Sequence, residues 1–245
     1  MRRRALLAAA LVPAPALAQE PLLLLSEDFP PVNFERDGEA SGLAGELVLA
    51  MLRDMGLPLK VRFMPWARAY RIAQGPQPVC LFTMARTPQR EALFQWVGPV
   101  GEFQNALIGR AGTDRLRSLE LARQAPEIIT VRDWSSEQEL RQLGFRNLKS
   151  VSNGTVALRM LLAGRAAMMA TERALLPDLL QREGLDESAI ATLLVYSSNP
   201  GYLAFSRATP AAQVRRWQAA LDRLRASGEF ERISRRWLPN MLPPG

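Results

Sequence analysis

Residues 81–96 read LFTMARTPQREALFQW, and the chain around them is organised by how this stretch folds. It continues an apolar strand over 79–84, breaks at Thr87-Pro88, and resumes as a helical turn bearing Arg90. Threonine suits a helix cap and proline the first turn after it. The N-terminus of such a helix exposes free N–H groups and a partial positive charge. Arg90 adds a fixed, forked cation two residues past the proline. The combination predicts an anion site, for a carboxylate or a phosphate.

Working outward, the apolar run 21–25 reads as a buried, parallel-type strand. The prolines of FPPVNF, residues 29–34, forbid a helix and predict an extended loop with aromatic anchors. Ser41-Gly42 opens a helix whose apolar stripe is Ala44, Leu47, Val48, Met51, Leu52 and Met55, stopped by Gly56. A strand over 59–63, a short helix over 65–72, the strand 79–84 and a strand over 105–109 follow. This β-α-β-α-β order is that of an open parallel sheet covered by helices. The pattern then restarts. Strands are expected at 128–131, 148–151, 167–170, 193–196 and 202–205, and helices at 136–143, 155–163 and 173–183. Asn153-Gly154-Thr155 reads as a helix cap. Thr209-Pro210 opens a long amphipathic helix ending near Gly228, and a last helix spans 230–237. The best breaks are 98–101 and 199–201. The fold class is therefore α/β in two lobes, each an open, mostly parallel sheet with flanking helices, with a hinge cleft between them. Lobe 1 is discontinuous (19–101 and 202–245) and lobe 2 spans 102–201. Two lobes joined by two strands can close on a ligand by hinge motion.

The first 18 residues carry a basic start (Arg2, Arg3, Arg4), a short apolar run and the small-x-small signal Ala16-Leu17-Ala18. They read as a cleaved secretory leader, which predicts export to the periplasm. No other apolar run approaches the ~20 residues of a membrane span. The formal charge of +7 falls to +4 without the leader arginines. The remaining cations are scattered among acids, with no run of four, which argues against nucleic acid as partner and leaves an acidic ligand or an anionic membrane surface. There is no histidine and one cysteine, Cys80, inside an apolar strand. That removes Ser-His-Asp chemistry, His-ligated zinc and internal disulfides. No phosphate-loop, dinucleotide, nucleophile-elbow or metal-spaced motif is present, so no cofactor is expected.

Several segments, in order, resemble the type 3 extracellular solute-binding proteins, the periplasmic receptors of polar amino acid ABC transporters. They are SEDFPPVNFERDGEASGLAGELVLAML (26–52), the strand-then-TPQR segment, VRDWSS (131–136), LLAGRAAMMATE (161–172) and ALDRLRASGEFERISRRWL (220–238). The resemblance covers about 21–238 and implies a type II periplasmic-binding-protein-like fold. It implies that Arg90 grips a ligand carboxylate, that Phe29 stacks over the ligand, and that Glu27 contacts an amine. It places Thr83 among the ligand contacts and makes Ser135 and Ser136 the hydroxyl and N–H cluster closing from the second lobe. Both serines also read as N-cap residues. Where the family carries two aspartates, this chain has Ala167 and Glu172. Ala85 replaces a frequent hydroxyl, and Trp134 stands where glycine is common, which partly fills the cleft. These departures favour a carboxylate over the usual accompanying amino group. The segment PWARAY (65–70) resembles a branch with poorly defined ligands, and its Trp66 fits cleft lining or core packing equally.

The expected function is a monomeric, non-enzymatic receptor that captures a small carboxylate-bearing solute, an amino acid or a relative, and delivers it to an ABC transporter permease. Two alternatives stand beside it. One is an enzyme on the same fold, dehydratase-like, with Glu172 as general acid. The other is a ligand sensor for a signalling receptor.

Overall fold

The structure is a computed structural model that describes residues 22–237; the leader expected over 1–18 lies outside the described residues. The chain opens with β1 (Leu23–Ser26), followed by a hairpin of β2 (Phe34–Arg36) and β3 (Glu39–Ser41). The hairpin turns on Asp37-Gly38, both at positive φ, as a two-residue turn between twisted strands requires. Helix α1 (Leu43–Asp54) buries Ala44, Leu47, Val48, Met51 and Leu52, the stripe read from the sequence. Its entrance needs glycine: Gly42 sits at φ 89°, and a Cβ there would lie 2.6 Å from the Pro31 carbonyl oxygen. Strand β4 (Arg62–Phe63) is shorter than expected, because Leu59 and Lys60 are exposed. Helix α2 (Trp66–Ala73) buries Trp66, Ala69, Tyr70 and Ala73, one helical face. Strand β5 (Val79–Ala85) follows.

Next comes β6 (Phe94–Arg110), then α3 (Leu119–Arg123), β7 (Ile128–Val131), α4 (Ser135–Gln142) and β8 (Leu148–Val151). Helix α5 (Gly154–Leu162) is capped by Asn153, whose side chain accepts from the Val156 N–H. Then follow β9 (Met168–Glu172), α6 (Leu176–Arg182), β10 (Ile190–Ser206), α7 (Ala211–Ala226) and α8 (Glu229–Trp237).

Eight strands form one sheet in the order β4-β1-β5-β10-β6-β9-β7-β8. β1 pairs parallel with β4 and β5, and β7 pairs parallel with β8 and β9. Each parallel trio joins a long strand in antiparallel fashion: β5 pairs with the C-terminal half of β10, and β9 with the C-terminal half of β6. The strands β6 and β10, 17 residues each, pair with one another along their length, with Gly101 opposite Gly201 at the middle. The sheet thus has two parallel wings connected by two adjacent antiparallel strands.

Strand alternation sends successive side chains to opposite faces. Leu24, Cys80, Phe82, Leu203 and Phe205 pack under α1, α7 and α8. Leu25, Val79, Leu81 and Ala204 face α2, in a core that continues onto Ile129, Val131 and α5 of the other wing. A third cluster, including Leu107, Ile128, Leu140, Phe145 and Leu193, covers the remaining face.

Candidate functional site

The opening stretch departs from its sequence reading. After β5 the chain makes a turn and one 3-10 turn, Glu91–Leu93, and β6 begins at once at Phe94. No α-helix has room to form, so the expected helix N-terminus is absent. The Thr87 carbonyl accepts from the N–H groups of Arg90 and Glu91, while its hydroxyl is buried without a partner and caps nothing. Arg90 is not exposed either: it is 1% accessible. Its Nε donates to Gln138 Oε1 (2.9 Å), its Nη2 to the Asp133 carbonyl (2.8 Å) and its Nη1 to the Ala85 carbonyl (3.3 Å). The guanidinium lies over the rings of Trp66 and Tyr70, at 5.5 and 5.2 Å. Burial lowers its pKa, and the nearby Tyr70, Glu139 and Asp133 oppose that. An arginine remains charged regardless. Among the described residues no carboxylate comes within ion-pair distance of Arg90, so it is a buried cation held only by neutral acceptors.

Arg90 borders a cavity of about 50 Å³ between the two wings. All eight residues singled out from the sequence line it: Glu27, Phe29, Trp66, Thr83 and Arg90 from one side, Ser135, Ser136 and Glu172 from the other. Glu27 and Phe29 follow β1, Thr83 lies in β5, and Trp66 begins α2. Trp66 lines the cavity, is buried in the core and donates its Nε1–H to the Asp133 carbonyl across the gap (2.8 Å). Thr83 Oγ1 donates to Asn33 Oδ1 (3.0 Å).

Ser135 and Ser136 are the first two residues of α4 rather than its cap; Trp134 occupies the N-cap position. Their amides head the helix, where N–H groups lack intrahelical partners and the dipole favours an anion. Glu137 stabilises this end from within, its carboxylate accepting from the Asp133 N–H (2.7 Å) and from Thr130 Oγ1 (3.1 Å). Ser136 Oγ is buried, with its residue 1% exposed, and has no hydrogen-bond partner among the described residues. A buried hydroxyl without a partner is costly unless something else satisfies it.

Glu172 ends β9 opposite Asn105. Its two oxygens accept from the N–H groups of Gln104 (3.1 Å) and Ala174 (3.0 Å). Burial nevertheless pushes its pKa up to about 7. Glu27, half-buried at the opposite wall, is pushed up to about 8, again by burial, with Asp28 adding to the shift and Trp134 and Arg90 opposing it. The cavity wall therefore carries one cation, a hydroxyl unpartnered among the described residues and two carboxyls, of which Glu27 feels the charge of Arg90.

Residues missed as site candidates are Phe103 and Asn105, both on β6 and both lining the cavity. Asn105 Nδ2 reaches Ser135 Oγ (3.3 Å), Glu139 Oε2 (3.1 Å) and Ser197 Oγ (3.2 Å). Glu139 also accepts from Asn199 Nδ2 (2.7 Å). The available signal was an asparagine beginning an otherwise apolar strand run. Trp134 and Ala85, read from the sequence only as departures, line the cavity too.

A larger groove of about 600 Å³ lies elsewhere, between the β2–β3 hairpin, α1 and α8. Half of its charged lining residues pair with one another, Arg232 with Glu229 (3.0 Å) and Arg236 with Glu46 (2.9 Å).

Two wings are joined by two crossing strands, and between them lies a largely apolar cavity with a few polar groups. Residues 23–240 match the bacterial extracellular solute-binding proteins, family 3, and the chain belongs to that family. Comparison with curated proteins gives no match. Among solved structures, a histidine kinase sensor domain with similarity to periplasmic binding proteins aligns with a TM-score of 0.81 at 20% identity, covering 92% of this chain and 99% of its own. An ABC uptake transporter substrate-binding protein from Streptococcus pneumoniae with bound histidine gives 0.77 at 15% identity, covering 91% and 95%. The arginine-, lysine-, histidine-binding protein ArtJ from Geobacillus stearothermophilus gives 0.75 at 16% identity, covering 91% and 97%. At these identities the likeness establishes the fold. The family is one of solute-binding proteins, and no helix among the described residues is long and apolar enough to cross a membrane.

Proposed function

We propose that this protein is an exported receptor that captures a small carboxylate-bearing solute, amino acid or relative, by closing two lobes around it. The lobes are 19–101 with 202–245, and 102–201, and β6 and β10 form the hinge. Arg90 carries the reading: it is a buried cation facing the cavity without a counter-ion. A carboxylate there replaces neutral acceptors with a charge-assisted pair and lies against the Ser136 hydroxyl and the first amides of α4. Thr83 and Phe29 contact the ligand body, Trp66 backs Arg90, and Ser135 stands beside Ser136. Glu27 and Glu172 are placed to receive an ammonium group where the ligand has one. Delivery to an ABC transporter permease is the corresponding partner reaction.

A thermal-shift panel of amino acids, dicarboxylates and small peptides tests this. At a hundredfold excess over Kd a true ligand adds about 2.7 kcal/mol, a rise of roughly 5–10 °C for a chain of this size. Stabilisation only by compounds without a carboxylate would sink the reading. A second reading, a ligand sensor coupled to a signalling receptor, is supported by the fold shared with the histidine kinase sensor domain. Pull-down of the ligand-loaded protein with permease or with kinase membranes separates the two.

A further inference from the structure

Trp134 is the residue that most alters this cleft. Its side chain is 6% exposed. On one side its ring meets Phe29 edge to face, with centroids 5.4 Å apart. Its Nε1–H donates to Glu27 Oε2 (3.2 Å), so the indole spans the gap between the wings. On the far side the ring runs to the start of α5, where a Cβ on Gly154 would lie 3.3 Å from its Cη2. Gly154 thus leaves the room the indole occupies. The cavity that remains, about 50 Å³, has room for only a few water-sized groups, each needing about 10–15 Å³ of such space.

The polar groups left around that space are of two kinds. Arg90 and the unpartnered Ser136 hydroxyl suit an anion. Glu172 and Glu27 suit a cation, and Glu172 accepts from two main-chain N–H groups and, among the described residues, pairs with no side-chain cation. Arg90, Ser136 and Glu172 line one and the same cavity. Trp134 and Phe29, ring against ring, both line that cavity.

We propose that Trp134 is the size gate of this cleft, and that it restricts the ligand to a compact zwitterion, an ammonium and a carboxylate on a backbone with a side chain no larger than methyl. The inference rests on the receptor reading above and narrows its ligand class. In this arrangement the carboxylate meets Arg90 and Ser136, the ammonium meets Glu172, and the Trp134–Phe29 pair closes the space a larger side chain needs. Glu27 is engaged by the indole N–H and holds the gate in place.

Isothermal titration of the wild type, freed of bound solute by unfolding and refolding, tests the proposal with glycine, L-alanine, L-phenylalanine, L-arginine and acetate. Glycine or alanine should bind at least tenfold more tightly than phenylalanine, arginine or acetate. The Trp134→Ala variant should gain phenylalanine or arginine binding by at least tenfold. Trp134→Phe, which keeps an aromatic ring against Phe29, should keep the small-ligand preference and guards against a misfolded alanine variant. Wild-type binding of phenylalanine or arginine as tight as that of alanine overturns the gate while leaving the receptor reading intact. Acetate binding equal to glycine overturns the zwitterion while leaving the carboxylate site. Absence of binding by any of the five, in wild type and variants alike, overturns the proposal. The receptor reading fails separately, on the wider panel of carboxylates described above.

Discussion

Arg90 is a charge held in place by neutral acceptors, and its removal has a definite expected cost. A charge-assisted hydrogen bond contributes about 1.5–3 kcal/mol. Arg90→Ala should therefore weaken binding of the cognate solute by about tenfold or more, with the far-ultraviolet spectrum unchanged. Glu172 and Glu27 lead to a different expectation. Both are raised above their unfolded value, to about 7 and about 8, chiefly by burial. The folded state therefore holds their protons more tightly than the unfolded state does. Their stabilising contribution is present in full below the ordinary carboxylate pKa and is lost as pH rises through the raised values. The melting temperature of the ligand-free protein should fall between pH 5 and pH 9. Glu172→Gln and Glu27→Gln should each flatten that slope, and a double variant with the wild-type slope would contradict the assignment.

At the level of elements, the two crossing strands meet at Gly101 and Gly201, and the Phe103 ring lies against both. A Cβ on Gly201 would come 2.2 Å from that ring and 2.8 Å from Thr83 Cγ2. Gly201→Ala should cost about 1–3 kcal/mol, as overpacking does. Phe103→Leu in the same chain should recover part of it, read as coupling in a double-mutant cycle by denaturant unfolding. The same region shows what the sequence does not reveal on its own. Gly98-Pro99 and Asn199-Pro200-Gly201 look like breaks between short strands, yet β6 and β10 run through them, because each is paired along its length by the other. The helices with a long apolar stripe, α1 and α7, were legible, since burial of one face decides them. The short α3 was not, having only five residues, and the Asp37-Gly38 hairpin was overlooked although its turn chemistry is written in the sequence. At the cavity, the residues picked by family resemblance line one space, while the local conformation was not legible. Thr87-Pro88 suggested a helix start, but the immediate onset of β6 leaves space for one turn.

Across the whole molecule, the wings touch through Arg90 with Gln138 and Asp133, Trp66 with Asp133, Trp134 with Glu27 and Phe29, and, among others, an exposed Arg182–Asp28 pair (2.8 Å). The last contributes little, as exposed pairs do, about 0–1 kcal/mol. The closure itself is measurable. Cys80 is fully buried and burial pushes its thiol pKa up, so cysteines introduced at the exposed Lys60 and Glu187 should label selectively. The distance distribution between two such labels should narrow to its short component on addition of ligand. A distribution unaffected by a ligand that binds would argue against hinge closure.

The hold on Arg90 makes the ligand-free protein its own competitor. Gln138 and the Asp133 carbonyl occupy Arg90 donors, so a solute carboxylate bound there as proposed would exchange with them instead of adding to an empty site. Apparent affinity is then the intrinsic affinity scaled by the fraction of molecules whose guanidinium is released. Weakening the incumbent raises that fraction. Gln138→Leu, which removes one acceptor and adds no charge, should bind the solute as tightly as the wild type or more tightly, measured by the same titration, although it deletes a hydrogen bond.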